Sequence, residues 1–267
     1  MDAPKGEVKI QTLRMYAERF VAAEPDRLGA AGWWEKPLLV SARADGRFDC
    51  LPEIAHREHW LPRDLLRNAR AVVVFFIPFK NALVQENRET ERPCRSWGLA
   101  YVQTNDLIDR LSGGLGELLK EHGYESGLTP ATHNFDESVL MARWSHKHVG
   151  HLAGLGRFGV HHMLITPAGC SGRLGSFVTE AELGDHPLVE TEEACLTKAG
   201  RTCGRCIEAC PVQALKEEAF DRRGCWEKLK ENRRVLSSFT DLPDTTHVCG
   251  KCAAVMPCSF KNPVAEL

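Results

Sequence analysis

No stretch of about eighteen consecutive apolar residues occurs in this 267-residue chain, so nothing in it reads as a membrane-spanning helix. The opening MDAPKGEVKI lacks both the apolar core of a secretory signal and the Arg/Ser bias of a transit peptide, which points to a soluble cytoplasmic protein. A surplus of charge is missing as well: 34 basic residues stand against 36 acidic ones, and the formal net charge of −2 makes the whole molecule a poor trap for phosphate backbones. The short basic pair Arg233 and Arg234 reads as a solvated helix face. With 43% hydrophobic residues there is ample material for one or two cored domains.

Cysteine is scarce at first and dense later. Only Cys50, Cys94 and Cys170 precede residue 190, and they read as small buried or surface residues, whereas eight more fall between Cys195 and Cys258. Structural disulfides are disfavoured in a reducing cytosol, so a block this dense points to metal binding or redox chemistry.

Ahead of that block the pattern is mixed α and β. Residues 11–23 have helical spacing, 38–42 suit a short strand, and AVVVFFIP at 71–78 is an unbroken apolar run expected to be a strand buried on both faces. Residues 80–97 are polar and charged, which predicts a surface excursion before a helix over 105–122 that Gly123 stops. The pair Gly113 and Gly114 inside that helix predicts a close packing contact. A long helix is expected over 135–154 with Asp136 as its N-cap, then strands in VHHMLITP and SFVTEAEL. From Cys195 onward, regular strands should disappear.

The clearest motif is CGRCIEACP, which sets Cys203, Cys206 and Cys210 before Pro211. Two-cluster ferredoxins use C-x2-C-x2-C-x3-C-P, and the last cysteine of that run ligates the other cluster. Cys195 then serves as the first ligand across a lengthened loop, and Cys225, Cys249, Cys252 and Cys258 complete two sets of four. The crossover assigns Cys195, Cys203, Cys206 and Cys258 to one [4Fe–4S] cluster and Cys210, Cys225, Cys249 and Cys252 to the other. Exchange of Cys210 with Cys258 is the alternative pairing, and a pair of zinc sites is the alternative chemistry, since CxxC pairs also suit tetrahedral Zn²⁺.

Gly154, Gly156 and Gly159 spell GxGxxG, but a helical stretch precedes them and a strand-like run follows. That order is the reverse of a dinucleotide site, where a helix N-terminus must follow to receive the pyrophosphate. The glycines could instead let backbone approach a large flat ligand. Six of the eleven histidines fall between residues 133 and 162. His146, His148 and His151 do not share one helix face, which argues against joint metal ligation and leaves a polar face or a hydrogen-bonding pocket.

Together these stretches resemble the epoxyqueuosine reductase family, whose architecture is shared with reductive dehalogenases. AGLGRFG with HHMLITP and GSFVTEAEL is similar to that family's AGLGWIGKNT-LLI and FLGEILTDLEL segments; CGRCIEACPVQAL and DRRGCW are similar to its cluster motifs. The resemblance implies an α/β fold class: a nitroreductase-like α/β sandwich that binds a corrinoid over residues 1–190, followed by a ferredoxin-like domain with two [4Fe–4S] clusters over 191–267. It implies cobalamin as a further cofactor and a reductase activity, with ferredoxin or flavodoxin as redox donor. A reductase or carrier of free or protein-bound cobalamin and a plain ferredoxin-type electron carrier are the competing functions.

The family's D-S-x-P-x-x-E-R stretch is similar to the segment from Asp136 to Arg143, which implies a proton-donating role for Asp136. Arg143 would contact a corrinoid amide, a phosphate or a substrate anion, unless it forms a surface ion pair. Gly154, Gly156 and Gly159 would lie against the corrinoid. Near-neutral charge, and the absence after Cys258 of the helical-repeat extension that longer members carry, argue against a tRNA substrate.

Overall fold

The run AVVVFFIP forms β2 (Ala71–Pro78), and all eight of its residues are buried, as its lack of alternation requires. The computed structural model describes residues 5–28, 32–132, 135–255 and 257–265. They divide into two compact units. The first comprises residues 1–77, 106–155 and 173–190; the second comprises 78–105, 156–172 and 191–267. Two stretches from the first 190 residues therefore belong to the cysteine-rich unit.

The first unit is built on a four-stranded sheet in the order β1-β2-β8-β3, from β1 (Leu38–Arg43), β2, β3 (Ser126–Leu128) and β8 (Gly172–Thr179). β1 pairs antiparallel with β2, Leu38 opposite Phe76, and β3 pairs antiparallel with β8, Ser126 opposite Thr179. Helix α1 (Ile10–Leu28) buries Ile10, Leu13, Ala17 and Val21, the spacing of one helical face. Short helices α2 (Leu51–Ile54) and α3 (Pro62–Leu65) follow, the latter opened by Pro62 at a position where its missing N–H costs nothing. Helix α5 (Arg95–Glu121), whose residues from Asp106 onward belong to this unit, starts ten residues ahead of the predicted boundary and stops two residues short of Gly123, whose φ is +83°. Gly114 meets the expected close contact: a Cβ there would fall 2.2 Å from the Tyr16 hydroxyl.

Two expectations fail. Residues 80–97 are no open excursion, because α4 (Asn81–Glu89) buries Leu83, Val84 and Asn87 while its charges face outward. The helix expected over 135–154 is replaced by a hairpin of β4 (Phe135–Asp136) and β5 (Met141–Ala142), and only α6 (His146–Leu152) is helical. Local bonds decide this. The Asp136 side chain accepts the Ser138 N–H at 2.7 Å, the Asp136 carbonyl accepts the Leu140 N–H at 2.7 Å, and Leu140 sits at φ +56°. Asp136 consequently caps no helix.

In the second unit β6 (Arg157–Phe158) pairs with β7 (Leu164–Ile165). Beyond residue 190 the described residues contain no strand, only α7 (Arg205–Glu208), α8 (Arg222–Val235), two 3₁₀ turns and an isolated bridge between Leu215 and Phe220. The Asp221 carboxylate caps α8 by accepting the Gly224 N–H at 2.9 Å. At its far end Arg233 donates to the Leu242 and Pro243 carbonyls and pairs with Asp244, which is more than a solvated face. Among the described residues no helix is long and apolar enough to cross a membrane.

Candidate metal centre

The helical turn of α7 starts after Gly204, in the left-handed region at φ +84°, and this geometry turns Cys206 inward from the exposed loop. Cys195, Cys203, Cys206 and Cys258 line one cavity with His161 and Val255, which holds about 330 Å³ of atom-free space, its open mouth included. These are the four residues that the crossover assigns to one cluster.

Burial raises the Cys206 thiol to about 12, and its neighbours Cys258, Cys195 and Cys203 push it the same way. Cys252 behaves likewise: burial raises it first, then Cys249, Cys225, Cys206 and Cys210. Its neighbours thus include the other three members of the second assigned set. Burial also raises Cys249, with Cys210 adding to the effect. Crowded, desolvated thiols resist ionising together, because each thiolate repels the next. An iron–sulfur core or a divalent metal removes that penalty by binding the thiolates. The donor set therefore fits a thiolate-ligated metal group. All eleven cysteines are free thiols, so no disulfide competes for them.

Apolar packing surrounds the sulfurs. Val160, Leu215, Ile207, Phe220 and Val255 pack with Cys195, Cys206, Cys210 and Cys252. The Ala214 N–H points at Cys210 Sγ, 3.2 Å away. Cys170, which the sequence offers only as a small residue, lies fully buried in a cluster with Cys195 and Cys258. The ligand atoms of His161, Cys170 and Cys258 lie within 4.8 Å of one another. Neither Cys170 nor His161 is marked by spacing; the fold brings them in from a distant segment.

Of the remaining candidates, Asp136, Arg143 and Gly154 belong to the first unit, Gly156 and Gly159 to the second. The Asp136 carboxyl is exposed, and hydrogen bonds from Ser138 hold it below its ordinary value, aided by Arg143 and His56. Arg143 is exposed and forms a 3.7 Å ion pair with Glu58. What each glycine of GxGxxG approaches is protein: a Cβ would fall 2.5 Å from Pro187 at Gly154, 2.4 Å from the Ile165 carbonyl at Gly156, and 2.6 Å from the His161 ring at Gly159. His146 and His148 do not converge on a common point. His146 Nδ1 accepts from the Ser176 hydroxyl at 2.7 Å, while His148 Nδ1 bonds the Ser145 hydroxyl at 2.8 Å.

No protein-family profile matches the chain, and no curated protein matches it. Solved structures do. The epoxyqueuosine reductase of Streptococcus thermophilus is similar at 19% identity over 91% of this chain and 66% of that one, with a TM-score of 0.53. The Bacillus subtilis enzyme, with its catalytic loop swung out of the active site, is similar at 18% identity over 92% of this chain and 66% of that one, TM-score 0.54. An epoxyqueuosine reductase with a tRNA stem loop is similar at 17% identity over the same shares, TM-score 0.54. A catabolic reductive dehalogenase matches at 13% identity over 80% of this chain and 28% of that one, TM-score 0.53. This chain has the epoxyqueuosine reductase fold and spans just under two thirds of the length of those enzymes.

Proposed function

We propose that this protein is an iron–sulfur reductase in which Cys195, Cys203, Cys206 and Cys258 hold one [4Fe–4S] cluster and Cys210, Cys225, Cys249 and Cys252 a second. Its task in this reading is to pass low-potential electrons to a corrinoid, with a small molecule or a corrinoid as final substrate and a ferredoxin or flavodoxin as donor. The observation that carries the iron–sulfur part is the cavity shared by Cys195, Cys203, Cys206 and Cys258. The reductase part is supported by the fold, which is that of epoxyqueuosine reductases and of a reductive dehalogenase.

When bound, the clusters supply one-electron transfers at potentials that reach down to about −700 mV. The chain's own work is to keep water from the sulfurs. Val160, Phe220 and Val255 pack around them, and this apolar burial favours the low end of that range, against which any hydrogen bond to a sulfur works. Asp136 would hold the proton for the substrate. In this conformation its carboxyl is exposed and ionised at neutral pH, so donation requires the hairpin to carry it into a drier setting that raises its pKa. The swung-out catalytic loop of the Bacillus subtilis enzyme supports a mobile loop as precedent.

The residues offered for a corrinoid fit it less well than the cysteines fit iron. Protein atoms close on Gly154, Gly156 and Gly159, and Arg143 is paired with Glu58. A second reading, reduction of epoxyqueuosine in tRNA, is favoured by the neighbour crystallised with a tRNA stem loop. Iron, sulfide, zinc and cobalt analysis of anaerobically purified protein tests the proposal. About eight iron atoms per chain are expected from two cubanes, together with corrinoid bands in the visible spectrum. Zinc, or four or fewer irons after reconstitution, overturns the cluster assignment; iron without corrinoid bands leaves an electron carrier. Turnover of a queuosine-precursor tRNA separates the second reading.

A further inference from the structure

One cysteine of the first set is flanked by two side chains that the cluster assignment does not use. The Sγ of Cys258 lies 3.6 Å from His161 Nε2. The other ring nitrogen, Nδ1, faces the backbone N–H of Met163 at 3.0 Å and accepts from it. A neutral imidazole that accepts at Nδ1 carries its proton on Nε2, so the N–H of His161 is directed at the sulfur. The ring is 4% exposed, and its seat is made by Gly159, where even a methyl group would collide with Cε1. This gives the last glycine of GxGxxG a purpose that needs no ligand.

Cys170 approaches Cys258 as well. Its backbone N–H donates to the Cys258 carbonyl at 2.9 Å, and the next N–H, of Ser171, donates to the Ser259 carbonyl at 3.1 Å. Two such bonds lay the segments side by side and bring the Sγ of the buried Cys170 within 4.8 Å of that of Cys258, with the Ala253 carbonyl 3.9 Å from the Cys170 sulfur. Gly169, at φ +79°, permits the approach, since a Cβ there would fall 2.3 Å from the Ser259 carbonyl oxygen.

We infer that His161 and Cys170 tune the cluster held by Cys258, each donating a hydrogen bond to that ligand sulfur and so raising the reduction potential of this cluster. The inference rests on the iron–sulfur reading given above. A donor aimed at a ligand sulfur draws off negative charge, and it stabilises the reduced cluster more than the oxidised one because the reduced cluster carries one more electron. Both residues act through Cys258 and are positioning residues. Neither needs to touch iron.

The test is a redox titration of the anaerobic, full-length holoprotein, followed by electron paramagnetic resonance, with iron counted in every sample. His161→Phe and Cys170→Ala are expected to keep their iron and to shift one cluster to a more negative midpoint while the other stays in place. A tenfold loss in the reduction equilibrium, about 59 mV for one electron, is the expected size for His161→Phe. His161→Gln, which retains an N–H donor, is expected to recover part of the shift. Unchanged midpoints in His161→Phe and Cys170→Ala overturn the inference, as does nitrogen coupling in the reduced spectrum, which would make His161 a ligand. Should His161→Phe lose iron, Cys170→Ala and His161→Gln decide: wild-type midpoints in both overturn it. A wild-type protein without iron refutes the cluster reading itself, an outcome visible in the metal analysis before any variant is made.

Discussion

Asn87 Nδ2 donates to the Cys249 carbonyl at 3.0 Å, and the same side chain's Oδ1 accepts the Cys94 N–H at 3.2 Å. One fully buried amide thus pins the loop that carries Cys249 and Cys252. Lys251, also buried, adds donations to the carbonyls of Asn87, Thr90 and Arg92. Asn87→Ala leaves a half-buried carbonyl and a buried N–H unpaired, each costing on the order of 1–3 kcal/mol. Urea unfolding under anaerobic conditions is expected to show a loss of about 3 kcal/mol. A loss below about 1 kcal/mol would mean that water replaces the amide.

Gly250 stands in the left-handed region at φ +73°, with Trp97 so close that a Cβ would fall 2.3 Å from its Cζ2. An alanine there combines backbone strain with overpacking against a rigid indole. The outcome expected for Gly250→Ala is loss of the iron that Cys249 and Cys252 hold, about half the total, with the remainder kept. Iron analysis reads this directly, and full iron content would show that the loop can shift.

These contacts mark the limits of what sequence could disclose. The strand at Ala71–Pro78 is legible because an unbroken β-branched and aromatic run has few stable places outside a sheet covered on both faces. The hairpin over residues 135–142 is hidden, since Phe135, Val139 and Ala142 fall at the i, i+4, i+7 spacing of a helix face and a single carboxylate with one left-handed residue decides against it. Helix α4 is masked by its charges, although Leu83, Val84 and Asn87 share a buried face. Short cysteine spacings are visible in one dimension. Cys170 reaches Cys258 through long-range backbone pairing and His161 through its side chain, and neither carries a local signature.

His146 supplies a pH dependence. Burial pushes its imidazole down to about 4, with Arg173 and His59 adding to the effect and the Pro130 carbonyl opposing it. The unfolded chain therefore takes up a proton near the ordinary value of about 6.5, while the folded chain stays neutral until well below it. The sign follows: this contribution is fully present above about pH 6.5 and is lost as pH falls toward 4. Allowing for partial exposure, the loss is on the order of 2 kcal/mol. Urea unfolding at pH 7.5 and 5.5 should show wild type losing more stability than His146→Gln. Equal losses would place the titration elsewhere.

Asp136→Asn separates chemistry from structure. The side chain is exposed and its main bond is to Ser138 within the same turn, so stability is expected to change by less than about 0.5 kcal/mol. A proton donor removed from the reacting centre typically lowers turnover by about 10²–10⁴. Reductase assays on variant and wild type of equal iron content are expected to show at least the lower of those factors. Undiminished turnover would leave Asp136 as a turn residue only.

The division of the cysteines into two sets can be settled by removing one set first. Cys252 has Cys225 among its neighbours, whereas Cys225 does not line the cavity of Cys195, Cys203, Cys206 and Cys258. Cys225→Ala is therefore expected to lose about half of the iron and keep the cluster of the first set. In that background Cys258→Ala should remove the remaining iron, because Cys258 lines the cavity, and Cys210→Ala should leave it. The two double variants respond in opposite ways under the alternative pairing. Iron that survives Cys258→Ala but not Cys210→Ala would exchange the two crossover ligands and move the tuning role of His161 and Cys170 to the other cluster.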